Sequence, residues 1–92
     1  MIRTCLIEFE LYFPYIVSIK EHRKIMQAII SNIKKQNISV LEILNKNIRS
    51  STLYLSAVKE NEVDIHRLYD YYINFFLDRP DIRLISYNIE IY

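Results

Sequence analysis

Between residues 2 and 13 apolar and polar positions alternate. Cys5, Ile7, Phe9, Leu11 and Phe13 fall on one side, and Thr4, Leu6, Glu8, Glu10 and Tyr12 on the other. A period of two is that of a strand with one buried face, and Pro14 ends it. From Ser18 the period lengthens. His22, Ile25, Met26, Ile29, Ile30 and Ile33 recur at helical spacing and make one apolar stripe. Ser18 with Glu21 three residues later is a capping box, so a helix starts there and runs to about Lys35. Lys20, Arg23 and Lys24 stand off the stripe, which makes the other side of the first two turns basic. Asn37 suits a left-handed C-terminal cap, and Lys34 and Lys35 suit the negative end of the helix dipole.

Alternation returns from Ile38 to about Leu44 and again from Thr52 to Val58, where Leu53, Leu55 and Ala57 share a side. The polar stretch 45–51 joins the two strands as a hairpin. Asn61 can cap a second helix, Glu62 to about Leu77, with Asp64 in its first turn and a stripe of Ile65, Leu68, Tyr69, Tyr72, Ile73 and Phe76. Asp78-Arg79-Pro80-Asp81 is a stop signal, because the residue before proline disfavours helix. A last strand from about Ile82 to Ile91 is expected to bury Ile85, Tyr87, Ile89 and Ile91. The order β-α-β-β-α-β, closed with right-handed crossovers, predicts an α+β ferredoxin-like domain over residues 1–92. Its four antiparallel strands carry both helices on one face. A swapped dimer built from two such halves uses the same strings.

Composition narrows the function classes. Ninety-two residues make one domain, and 51% hydrophobic with 25% charged residues describe an ordinary globular chain. A net charge of +1 gives no overall field towards nucleic acid or membrane. The charge is unevenly placed, however. Residues 18–36 hold five Lys or Arg against Glu21 alone, whereas in 61–78 only Arg67 opposes Glu62, Asp64, Asp70 and Asp78. The single cysteine, Cys5, excludes an internal disulfide and fits a reduced, cytoplasmic setting. No apolar run reaches the roughly 20 residues that span a bilayer. With no glycine in the chain, left-handed backbone positions fall mostly to asparagine. Glycine-rich phosphate loops, the dinucleotide fingerprint and the nucleophile elbow are likewise absent, so neither an enzyme nor a cofactor is expected.

The run Ser18-Ile19-Lys20-Glu21-His22-Arg23-Lys24, after a strand ending Leu11-Tyr12-Phe13-Pro14, resembles the YlxP-like family of small bacterial proteins. That family has Ser-Leu-Lys-Glu-Lys-Arg there. A following Asn-Val-Ser-Val-Ala-Glu-type strand is matched by Asn37-Ile38-Ser39-Val40-Leu41-Glu42, and Pro80 stands where the family has a proline after the second helix. The likeness spans nearly the whole chain. It implies a ferredoxin-like fold without an established reaction, and a ribosome- or RNA-associated role, since the family's genes sit among those for transcription termination, translation initiation and ribosome maturation. The chain departs from the family pattern at Tyr15 (usually glycine), His22 (usually lysine), and Leu44 and Asn45 (usually glycine and aspartate), so a partner contact through those loops would be altered.

Two candidate surfaces follow from the fold. The first strand's exit, the start of helix one, the 45–51 hairpin and the end of helix two should share one end. That would gather Lys20, Arg23, Lys24, Lys46 and Arg49 into an anion-binding site for ribosomal RNA or a ribosome-associated particle, with Arg79 a further candidate outside that set. A merely solvated charged face is the plain alternative. On the sheet's open face, Leu6, Tyr12, Leu41, Tyr54 and Val58 should stand exposed beside Glu8 and Glu10. The carboxylates and the missing Arg/Lys-Gly-aromatic signature argue against a base-stacking platform, so this patch reads as a homodimer contact or a bare sheet. His22 and His66 have no metal-ligand neighbours at a recognised spacing, and His22 reads as a packed helix histidine. Cys5 reads as inert core.

Overall fold

A computed structural model describes all residues, 1–92. The elements are β1 (Arg3–Tyr12), α1 (Ile19–Lys34), β2 (Ser39–Leu44), β3 (Ser50–Lys59), α2 (Glu62–Leu77) and β4 (Arg83–Ile91), the βαββαβ order the periodicity predicts. They form one four-stranded antiparallel sheet in the order β2-β3-β1-β4. Both helices lie on the same face. Phe13, just beyond β1, packs its ring 4.4 Å from that of His22 on α1, and Phe9 on β1 packs 5.2 Å from Phe76 on α2. The fold is the ferredoxin-like α+β arrangement.

The core follows from the alternation. Cys5, Ile7, Phe9 and Leu11 on β1 and Leu53, Leu55 and Ala57 on β3 are opposed in register and buried beneath Met26, Ile29 and Ile33 of α1 and Ile65, Tyr72 and Phe76 of α2. Burying each large side chain of this kind contributes roughly 1.5–3 kcal/mol. Asn37 adopts φ 59°, the left-handed position that glycine would otherwise supply. No helix is long and apolar enough to cross a membrane.

The last strand departs from its simple alternation. Leu11 pairs with Leu84 and Glu10 with Ser86, so Ile85 is the extra residue of a β-bulge. The bulge shifts the parity. Ile82 and Leu84 turn inward before it, and Tyr87, Ile89 and Ile91 after it, while Ile85 stays 59% exposed rather than buried. Tyr87 does face the helix side, beside Tyr69 at 6.1 Å. As an edge-strand residue it is nevertheless only half covered.

Candidate nucleic-acid interface

The exit of β1 and the β2–β3 hairpin meet at one end of the fold. Tyr12 pairs with both Ser50 and Arg83, and the Phe13 N–H donates to the Arg49 carbonyl at 2.7 Å, so the exit of β1 touches the β2–β3 hairpin. Arg49 closes the junction from the other side, its Nε–H donating to the Ile16 carbonyl at 3.0 Å. The hairpin tip is tied in turn by Asn47 Oδ1, which accepts from the Arg49 N–H at 2.9 Å, and by the Asn45 amide, which donates to Ser50 Oγ. Hairpin tip and helix start are thus fastened to one another across 33 residues of chain.

Within this end the cations differ in availability. Lys20, Arg23 and Lys24 line one shallow groove with Ile19 and Gln27 on the outer face of α1. All three are exposed, and none makes an ion pair. Lys46 stands exposed on the hairpin. Arg49 is half-buried and positions the loop, so part of its guanidinium is engaged. Arg79 is already engaged by an acid of its own. It makes a bidentate pair with Asp81 at 3.0 and 2.7 Å and lies over the Phe75 ring, 5.7 Å from its centroid. That pair holds the Asp81 carboxyl below its ordinary value, chiefly through the Arg79 hydrogen bond. Lys34 and Lys35 sit at the far end of α1, about 15 Å or more beyond Lys24 along its axis.

The helix start itself is already capped. Ser18 Oγ accepts from the Glu21 N–H at 3.2 Å, and the Glu21 carboxylate reaches back to the Val17 N–H at 2.9 Å. In the usual capping box the acid would bond the cap residue, whereas here it bonds the residue before it. The carboxylate occupies the positive end of the helix dipole, so an anion has to be held by side chains along the groove rather than by backbone N–H groups at the terminus.

His22 is more than a packed helix residue. It is 1% exposed, and its Nε2 lies 2.7 Å from Glu42 Oε2. Glu42 projects to the helix side because it pairs with Leu53 in the β2–β3 register. Sequence reasoning missed this partner, though parity offered a signal: Glu42 shares its side of β2 with Val40, which packs on the core. The pair bolts α1 to the outer strand. His22 Nδ1, Ser51 Oγ and Tyr72 Oη are buried without partners, and burial raises the Tyr72 phenol above its ordinary value, with Tyr71 adding to the shift.

The open sheet face is divided. Leu6, Leu41 and Tyr54, with Ser39, Ser56 and the edges of Val40 and Leu55, line a hollow of about 380 Å³ over β1, β2 and β3. Val58 lies beyond it opposite Thr4, and half-buried Tyr12 lies at the other end between Ser50 and Arg83. The β4 side is polar, carrying Ser86, Asn88 and Glu90 opposite Glu10, Glu8 and Leu6. No group of His, Cys, Asp and Glu is arranged to hold a metal ion.

Comparison with known proteins adds family and fold. A family model described as "Protein of unknown function (DUF503)" matches residues 4–89. No curated protein matches the chain. Among solved structures, the de novo designed protein Foldit4 is similar over 100% of this chain and 97% of its own, with a TM-score of 0.55 at 11% identity. At that identity the likeness concerns the fold alone.

Proposed function

The chain belongs to the DUF503 family of proteins of unknown function, and on that premise we propose that it is a non-enzymatic, RNA- or ribosome-associated adaptor. It would hold the phosphate backbone along the outer face of α1. One observation carries this reading. Lys20, Arg23 and Lys24 share an exposed groove and have no acidic partner, whereas Arg3, Arg67 and Arg79 are each matched with a carboxylate. An arrangement of unpaired cations costs self-repulsion and contributes nothing to the core, while phosphates would neutralise it with release of counterions. Lys46 on the hairpin and the free part of Arg49, whose Nε–H is bonded to the loop before α1, would add to this charge in the proposed site. The resemblance to the YlxP-like family points the same way.

The test is binding to ribosomal RNA as a function of salt. For the native chain, log affinity should fall steeply with log salt. Lys20→Ala, Arg23→Ala and Lys24→Ala together should flatten that slope by about 2, at roughly 0.7 for each phosphate of a single strand that is no longer neutralised. Tight binding with an unchanged slope in the triple variant would contradict the proposal.

A second reading rests on the hollow formed by Leu6, Leu41 and Tyr54, whose lining is mainly apolar: a homodimer through the β2–β3 half of the open face. Light scattering during size-exclusion chromatography separates the two. An RNA-indifferent dimer supports the second reading, and a monomer that binds RNA the first.

A further inference from the structure

Resting on the groove described above, we infer that the polynucleotide it holds is single-stranded and that one unpaired base stacks on Tyr15. Tyr15 is 71% exposed, yet its flanks are fixed. Phe13 and Ile16 are buried on either side of it. The Phe13 N–H is bonded to Arg49, the Ile16 carbonyl accepts from the Arg49 guanidinium, and the Val17 N–H is held by Glu21. The Pro14–Tyr15 turn is therefore a short span anchored at both ends, with one aromatic ring projecting from it.

The other tyrosines that are more than half exposed all have company. Tyr71 packs edge-on against Tyr72 at 5.0 Å, Tyr87 packs on Tyr69, and the Tyr92 hydroxyl donates to Glu90. Tyr15 has neither a ring neighbour nor a hydrogen-bonded hydroxyl. Exposing such a ring contributes nothing to folding. Its surroundings give it a use. The groove of Lys20, Arg23 and Lys24 opens in the first turns of the helix that follows, and Lys46 lies on the hairpin that Arg49 fastens to this same loop. An aromatic plane on a pinned loop among cations is the combination by which single strands are held: phosphates along the cations and a base on the ring. Because the backbone on either side of the ring is already held, binding has less of the loop left to order. A duplex, whose bases are already stacked on one another, cannot use it.

The experiment compares fluorescence anisotropy titrations of an oligoadenylate of about 12 nucleotides and a blunt RNA duplex of the same length. The native chain, Tyr15→Ala, Tyr15→Phe and the Lys20/Arg23/Lys24 triple-alanine variant are each titrated. The single strand should bind more tightly than the duplex. Tyr15→Ala should weaken the single strand by roughly 5- to 100-fold, leaving duplex affinity and the salt slope unchanged, and Tyr15→Phe should bind as the native chain does. If Tyr15→Ala holds the oligoadenylate within twofold of native while the triple variant fails to bind it, the stacked base is wrong and the groove stands. If the triple variant binds both ligands as the native chain does, the groove reading falls and the inference with it.

Discussion

The two helices are alike in every respect that folding requires and opposite in the one it leaves free. Both have 16 residues, both begin at a side chain that accepts a backbone N–H from the third helical residue (Ser18 and Asn61), and both bury a stripe in the same core. Their solvent faces diverge. Around α2, Arg67 lies 3.6 Å from Asp64, Arg3 reaches Glu62 at 3.7 Å, and Arg79 is clasped by Asp81 beyond the helix end. On α1 the exposed Lys20, Arg23, Lys24 and Lys34 make no ion pair, and the acid that does meet the helix, Glu42, hydrogen-bonds the buried His22 ring. Packing cannot account for the difference, since outer positions tolerate either sign. On the proposed reading, the phosphates of a partner would neutralise the row left unpaired on α1.

This contrast can be sharpened by removing the acid that meets a side chain on each side. On the α1 side, Glu42→Ala leaves the His22 ring buried with no partner at either nitrogen. It should cost about 2–3 kcal/mol in urea unfolding, because a desolvated polar group gives up its bond without regaining water. A cost near zero would mean that the pair is incidental. On the α2 side, Asp81→Asn should cost less than about 1 kcal/mol, because the pair is partly solvated. Its pH dependence has a definite sign. The Asp81 carboxyl is held below its ordinary 3.8, so its contribution is present above that value and is lost as the pH falls through the lower folded value. Native and Asp81→Asn unfolding curves should therefore differ at neutral pH and converge in strong acid. A gap that persists or widens in acid would refute the assignment.

Much of this is legible in the residues. The change of period from two to 3.6 and back sets the element order, the lack of glycine points to asparagine at position 37, and topology alone brings the hairpin residue Arg49 to the loop that leads into α1. What escapes depends on pairing rather than on pattern. The bulge at Ile85 arises from how β4 registers against β1, which no single-strand alternation contains. Glu42 looks like an ordinary surface acid until β2 is placed at the sheet edge beneath His22. Arg79 shares its sign with the other cations, although Asp81, two residues on, already matches it. Tyr15 has no periodicity at all, and only the hydrogen bonds around it show that the loop is rigid.

The most direct test asks whether placement, rather than total charge, governs RNA binding. Lys20→Ala, Arg23→Ala and Lys24→Ala can be combined with Glu60→Gln, Asp70→Asn and Asp78→Asn, three acids that make no ion pair. The net charge then stays at +1. Salt-dependent binding to ribosomal RNA should remain as weak as in the triple-alanine variant. Recovery to native affinity in the charge-balanced variant would show that the groove on α1 has no special part in it.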